Sequence, residues 1–357
     1  MTIKDKYDFG IFGSGVIGLS IAKKLLEKNF SVILLEKNNS YGFLSSSNNS
    51  GVIHSGAYYE TNSLKHLLCI RGKELLYEYC KKKNIRYLNT GKLFISLNKD
   101  NNSLNKIYDL SLKNGLKDLN FINEKQIKNI DSKILSKEAL FCPSSGIINK
   151  SMLLNSLYED CKIHKNNFFF KPNFNSFDLE QKKNSYIISL DGNNIQFNFM
   201  INSTGLESPI FHKKNIDPKF DISHYPVFGA YLTLKKKIKL NTIVYTSLNP
   251  GTISERVDAT PTFQDNIIFG PSIDYELPDQ NLLINRFHKI INNYIKIDKE
   301  NLKYSFHGIR PKAKNSKGPI KDYIFLKNNE NNISLINIES PGLTSCLAIA
   351  EYVCKNI

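Results

Sequence analysis

Between Phe9 and Glu36 the chain runs through an apolar stretch, then Gly13-Ser14-Gly15-Val16-Ile17-Gly18, then an amphipathic segment, then a second apolar stretch that closes on Glu36. That order and spacing describe a βαβ unit able to hold a dinucleotide. Gly13 allows the tight turn out of the first strand, Gly15 lets the backbone approach a pyrophosphate, and Gly18 lets the helix pack closely on the strand. Ser14, Val16 and Ile17 complete the turn at the helix start, where unpaired N–H groups and the positive end of the dipole meet the phosphates. Glu36 lies 21 residues beyond Gly15, placed to accept hydrogen bonds from a ribose 2′-hydroxyl, with Lys37 beside it. A carboxylate there disfavours a 2′-phosphate, which argues against NADP.

With 357 residues the chain can bury a full core and form two domains, or one large α/β domain with an insertion. Its 48 basic and 33 acidic residues give a formal charge of +15. Only five of the basic residues are arginine (Arg71, Arg86, Arg256, Arg286 and Arg310); the excess is lysine, accompanied by abundant Asn and Ile. Scattered lysines without an arginine/aromatic stripe make a solvated face, so nucleic acid is not an expected partner. The six cysteines have no CxxC and no zinc-ligand spacing, as in reduced structural thiols, and no metal is expected. No apolar run of membrane-spanning length is present, and the first strand begins within a few residues of Met1. These features fit a cytoplasmic location, with peripheral contact at the inner membrane face left open by the basic surface.

The periodicity predicts a long amphipathic helix over Leu64 to Lys83, a strand over Gly91 to Leu97, and an exposed turn over Asn98 to Asn105. A helix follows over Ser151 to Cys161 with Ser151 as its N-cap. Phe168 to Phe199 reads as short alternating strands punctuated by Asp191-Gly192, and Phe199 to Gly205 as a buried strand ending in small residues that returns the chain to the first sheet. Strands over Gly229 to Leu234, Thr242 to Thr246 and Asn266 to Phe269 suggest a second sheet, followed by a helix over Gln280 to Ile295. A last strand, Ser334 to Ile338, leads through Pro341-Gly342-Leu343 into a helix over Thr344 to Cys354. The expected class is α/β (α+β): a Rossmann-like dinucleotide domain interleaved with a mostly antiparallel β-sheet substrate domain. Residues 1–85, 140–215 and 306–357 are assigned to the first, and 86–139 and 216–305 to the second.

Three sites favour a flavin over a nicotinamide. They are the βαβ unit, a small polar loop running from Ser40 through Ser45 and Ser46 to Ser50-Gly51-Val52 and His54, and the late helix start at Pro341-Gly342-Leu343-Thr344. A reduced flavin is anionic near N1/O2, and a helix N-terminus suits that charge. The segments Ser50 to Gly56, Gly91-Lys92-Leu93, Ile201-Asn202-Ser203-Thr204-Gly205-Leu206, Gly308-Ile309-Arg310-Pro311-Lys312 and Ile338 to Thr344 together resemble the L-2-hydroxyglutarate dehydrogenase/oxidase family. That family belongs to the D-amino-acid-oxidase-like superfamily of FAD enzymes, with glycine oxidase, sarcosine oxidase and glycerol-3-phosphate dehydrogenase. The resemblance covers most of the chain, most specifically at its two ends.

The resemblance implies FAD on the Rossmann-like domain, Thr204 and Gly205 among the cofactor contacts, and a substrate carboxylate held by the arginine of the Gly-x-Arg-Pro turn, here Arg310. A guanidinium grips a carboxylate through two parallel hydrogen bonds. Lys312 could hold a second carboxylate or simply face solvent. Oxidising a 2-hydroxy acid requires hydride transfer from C2 to flavin N5 and removal of the hydroxyl proton. Histidine is the first candidate for the base: His54 in the small-residue loop, or His307 three residues before Arg310. Tyr58 and Tyr231 are candidates to donate to substrate or to pack around it. The expected activity is FAD-dependent oxidation of a small 2-hydroxy acid, L-2-hydroxyglutarate to 2-oxoglutarate being the best guess, with a quinone, another electron carrier or O2 as acceptor. An amine oxidase of the glycine/sarcosine type is the alternative. One departure bears on substrate: where family members carry Gly-Val-His-x-Thr, this chain has Arg256-Val257-Asp258-Ala259-Thr260. A carboxylate at that position would repel a dicarboxylate unless Arg256 neutralises it.

Overall fold

The structure is a computed structural model that describes residues 4–97, 102–174, 179–190, 192–247, 256–328 and 331–357. Its first sheet grows outward from the strand Lys6–Phe12, which pairs in parallel with Val32–Leu35 on one side and with Asn193–Asn202 on the other. Phe168–Lys171 extends the parallel set beyond Val32–Leu35, and Asn332–Ile336 extends it beyond Asn193–Asn202. Strands buried on both faces read as nearly continuous apolar runs: Val32–Leu35 is apolar and buried throughout, and Asn332–Ile336, also buried at every position, carries Asn332 and Ser334, which are hydrogen-bonded to Tyr186 Oη and Asn202 Nδ2. A three-layer packing supplies the cover: the helix Val16–Glu27 and the terminal helix Gly342–Asn356 lie together on one face, with Leu64–Lys83 packed against the terminal helix. The other face is closed by Phe12, Phe174, Phe197 and Phe211, within one aromatic cluster.

The second sheet takes its strands from two stretches of chain, in the spatial order Leu302–Arg310, Val227–Leu234, Ile267–Phe269, Ala259–Pro261, Ile243–Ser247, Lys92–Ser96, Glu138–Cys142 and Asn120–Asn123. All neighbours are antiparallel except Ile243–Ser247 and Lys92–Ser96, which run parallel. The interleaving expected from sequence is thus an α/β fold in which the chain passes back and forth between two sheets. The helix Gln280–Ile291 buries Leu283, Phe287 and Ile291 behind the second sheet.

Several element ends differ from the sequence reading for local reasons. The helix over Lys150–Lys162 starts earlier than Ser151, because the Asn149 side chain accepts a hydrogen bond from Met152 N–H and is the cap. Of the turn expected over 98–105, residues 98–101 lie outside the described residues and Asn102–Lys113 is already helical. Of the Asp191-Gly192 turn, Asp191 lies outside them as well. The last strand ends at Ile336, since Asn337 takes a left-handed φ of 63°, and the terminal helix begins at Gly342, two residues before Thr344. The helix expected to reach Ile295 stops at Ile291, where the Asn292 side chain accepts from Ile297 N–H.

Candidate active site

The carboxyl ends of Lys6–Phe12, Val32–Leu35 and Asn193–Asn202 open on a cleft of about 320 Å³ covered by the second sheet. That is the size and the topological position expected of a cofactor site. Its nucleotide end is lined largely by main chain. Gly13 has φ +94°, and a Cβ there would stand 2.5 Å from Ser203 O, so the turn admits only glycine. Gly15 caps the first helix without a side-chain hydrogen bond. Ile17 and Val16 line the cleft, and Val16 N–H donates to Ser46 Oγ at 3.0 Å. No acidic residue stands in the first turn of this helix to oppose an anion.

Ser14 and Gly18 lie behind this wall and do not line it. Ser14 donates from both N–H and Oγ to Glu36 Oε2, at 2.9 and 2.8 Å, and fixes the carboxylate at the mouth of the ribose end. Lys37 lines the same end and pairs with Glu207. Thr204 and Gly205, after the strand Asn193–Asn202, complete it. Ser45, Ser46, Ser50 and Val52 line the cleft from the small-residue loop, while Gly51 stands behind it in a left-handed turn. Ser45 Oγ donates to Ile309 O at 2.8 Å. Gly308 has no Cβ where Asn48 O approaches: a Cβ would lie 2.2 Å from that oxygen.

At the reacting end the groups are side chains. Pro341, Gly342 and Leu343 bring the uncapped N-terminus of the last helix to the cleft. Thr344 stands just behind; its Oγ1 accepts from His54 N–H at 3.1 Å and so ties the two segments together. His54 lines the cleft with Nδ1 3.0 Å from Tyr58 Oη and Nε2 3.2 Å from Ser340 Oγ. Burial, with the nearby Lys92 and Arg256 charges, pulls its pKa well below 6.5, so the imidazole is neutral at pH 7. Arg310 reaches the cleft from the end of Leu302–Arg310, anchored by Nη2 donating to Ser272 O at 3.0 Å. Burial lowers its pKa, but a guanidinium stays charged at any working pH. Tyr58 and Tyr231 both line the cleft, and burial pushes each hydroxyl up to about 12, leaving neutral donors.

Two of the residues read from sequence as candidates for catalysis or substrate binding are not brought to the cleft. His307 points elsewhere on its strand and pairs Nδ1 with Tyr304 Oη at 2.7 Å. Lys312 is engaged by Glu339 at 2.8 Å, a carboxylate that Lys65 holds from the other side at 2.7 Å. Asn48 and Tyr245, which sequence reasoning left out of the site, line it, and so do Arg256 and Asp258, which it raised only as a departure from the family pattern. Arg256 pairs its Nη2 with Asp258 Oδ2 at 3.0 Å and lies 4.6 Å over the Tyr245 ring. The signal was in the chain: an Arg-x-Asp pair leading into a strand that belongs to the covering sheet.

Glycines where a Cβ would fill the cradle, two helix N-termini free of acid and neutral hydroxyls beside an arginine are the features of a dinucleotide-dependent oxidoreductase. The chain belongs to the family described as FAD dependent oxidoreductase, DAO, whose profile matches residues 8–356. It is 27% identical to the mitochondrial L-2-hydroxyglutarate dehydrogenase of Arabidopsis thaliana, over 99% of this chain and 83% of that protein. It is also 27% identical to a glycerol 3-phosphate dehydrogenase of Caloramator mitchellensis, over 98% of this chain and 74% of that one. The FAD-bound L-alpha-glycerophosphate oxidase of Mycoplasma pneumoniae superposes with a TM-score of 0.86 at 20% identity, over 99% of this chain and 94% of that one. FAD is the cofactor and the protein is an oxidoreductase. Among the described residues no helix is long and apolar enough to cross a membrane.

Proposed function

We propose that the enzyme oxidises a small 2-hydroxy acid, L-2-hydroxyglutarate to 2-oxoglutarate being the preferred assignment. The observation that carries this reading is Arg310, anchored to Ser272 O on the wall of the same cleft that a neutral His54 lines. Bound FAD supplies the ring that accepts a hydride from C2 of the substrate. Gly13, Gly15, Ser46, Glu36 and Thr204 would hold its nucleotide part, and Pro341, Gly342 and Leu343 would face the ring with the helix N-terminus. Arg310 grips the substrate carboxylate and sets which face of C2 is presented. With Nδ1–H donated to the Tyr58 oxygen, His54 Nε2 is the acceptor for the hydroxyl proton, the substrate hydroxyl taking the place of Ser340 Oγ. The Tyr58 and Tyr231 hydroxyls donate to the substrate oxygens and the covering sheet excludes water. The relatives named L-2-hydroxyglutarate dehydrogenase support the choice of substrate. The electrons then leave to a quinone, another carrier or O2.

Anaerobic bleaching of the flavin tests the reading, with L- and D-2-hydroxyglutarate, lactate, malate, glycerol 3-phosphate, glycine, sarcosine and proline as a panel. Selective bleaching by L-2-hydroxyglutarate is the expected result. Bleaching only by an amino acid would move the protein to amine oxidation, and bleaching only by glycerol 3-phosphate would replace the hydroxy acid with a phosphate ester. Reoxidation with a quinone analogue against air separates the acceptors.

A further inference from the structure

A charge cluster at the reacting end has no part in the steps above. Lys92 has no exposed surface, and its ammonium has no hydrogen-bond partner among the described residues. It sits 3.9 Å from the centre of the Tyr245 ring, with the Tyr58 and Phe94 rings at 5.8 and 5.6 Å. A lysine buried in this way is costly unless its charge meets another. The acidic group whose charge favours it is Asp258, 1% exposed, whose Oδ2 is paired with Arg256 and whose Oδ1 has no partner among the described residues. The Thr246 hydroxyl, next to Tyr245, is likewise without one. Arg256 and Asp258 line the cleft and Lys92 stands behind it.

The signs matter. One carboxylate facing the cleft would repel an anionic substrate, but here it is flanked by two cations, and the three groups together carry one net positive charge. Arg256 keeps 35% of its side chain exposed and lines the cleft. Among the described residues Asp258 pairs with Nη2 alone, which leaves the other edge of the guanidinium for a ligand. Arg256 is also close enough to Arg310 for each charge to disfavour the other, an arrangement that anions between or beside them relieve.

We propose that Arg256 is a second carboxylate clamp, oriented by Asp258 and backed by the buried charge of Lys92, so that the enzyme prefers a dicarboxylic 2-hydroxy acid to the monocarboxylic acid with the same reacting end. The inference rests on the hydroxy-acid reading of the cleft. Arg256 touches the substrate; Asp258 and Lys92 are positioning residues that act through it. The groups facing Lys92 are Asp258, Arg256, His54, the Tyr58 and Tyr245 rings, and the thiols of Cys69 and Cys142. Burial lowers the Lys92 ammonium to about 8, so the net positive charge is present at neutral pH and is lost as pH rises through that value. Preference for the dicarboxylate fades over the same range.

The test compares the FAD-loaded wild-type enzyme with Arg256→Gln, Arg256→Lys and Lys92→Met. It measures kcat and KM for L-2-hydroxyglutarate and L-2-hydroxybutyrate, and calorimetric Kd values for the unreactive pair glutarate and butyrate. In Arg256→Gln the kcat/KM ratio of dicarboxylate to monocarboxylate falls roughly 10- to 100-fold through KM, the size of a lost charged hydrogen-bond pair. Arg256→Lys recovers part of that ratio. Lys92→Met lowers it less and removes its decline above pH 8. Equal loss on both substrates in Arg256→Gln without recovery in Arg256→Lys, or a wild-type enzyme that binds glutarate no better than butyrate, would overturn the proposal. If neither hydroxy acid is oxidised, the proposed function fails, while the glutarate and butyrate affinities still decide whether Arg256 is a carboxylate clamp.

Discussion

At the nucleotide end of the cleft a ligand meets main chain; at the reacting end it meets side chains carried by both sheets. The first is made from one short stretch, Phe12 to Glu36, together with the small-residue loop and the strand end at Ser203-Thr204-Gly205. The second draws His54 from that loop, Tyr245 and Arg256 from the middle of the covering sheet, Arg310 from its edge strand Leu302–Arg310, and Ser340 from the turn before the last helix. Main chain offers the same N–H groups whatever the ligand's chemistry, so that end can stay constant while substrates change. The reacting end discriminates, because each charged side chain there can be exchanged without touching the fold.

Substitutions at the two ends should therefore fail in different ways. The broadest effect, loss of the cofactor and with it all activity, is expected from Gly13→Val, which places side-chain atoms against Ser203 O and forces a β-branched residue to the +94° φ. Flavin content of the purified protein should drop about tenfold or more, and retention of full visible absorbance would contradict the main-chain account. His54→Asn should keep the flavin and lower kcat by about 10²- to 10⁴-fold, the range for a lost acid–base group. In the wild type the neutral imidazole is the active form, so activity falls only as pH drops through its folded pKa. Because burial sets that pKa well below 6.5, the acid limb of kcat/KM should lie below pH 6.5; a limb above it would assign the proton to another group. Arg310→Leu should reduce kcat/KM about a hundredfold with absorbance intact, and Arg310→Lys should restore only part, since the fork is lost. The smallest change is expected for Lys312→Ala: Glu339 keeps Lys65, and KM should move by less than about threefold. A large rise in KM there would return Lys312 to the substrate.

The same contrast governs what could be read from the chain. The glycine spacing, Glu36 and the late helix start are local, and each carries its geometry within a few residues, so fold class and cofactor were legible. Arg310 was legible through its Gly-x-Arg-Pro turn. His307 was not distinguishable from a site residue by sequence: being near Arg310 along a strand does not bring its side chain to the same surface, and the Tyr304 hydroxyl holds it elsewhere. The cluster around Tyr245 was hidden for a different reason. Lys92 reaches it only because Lys92–Ser96 runs parallel to Ile243–Ser247, with Phe94 beside Tyr245 in register, and Arg256 arrives through the next antiparallel strand. No periodicity records a pairing between segments about 150 residues apart. Lys312 was misread because its partner, Glu339, lies in the turn before the last helix.

The seam between the small-residue loop and Leu302–Arg310 has a consequence for assembly. Ser45 holds the Ile309 carbonyl, and Asn48 nests against Gly308, so the loop that would cover the isoalloxazine and the strand that ends in Arg310 are fastened one residue apart. A displacement of that loop would be passed directly to the strand that carries the guanidinium. An apoprotein with that loop loosened would lose its hold on the hydroxy acid along with its colour, and the two properties should return together on reconstitution.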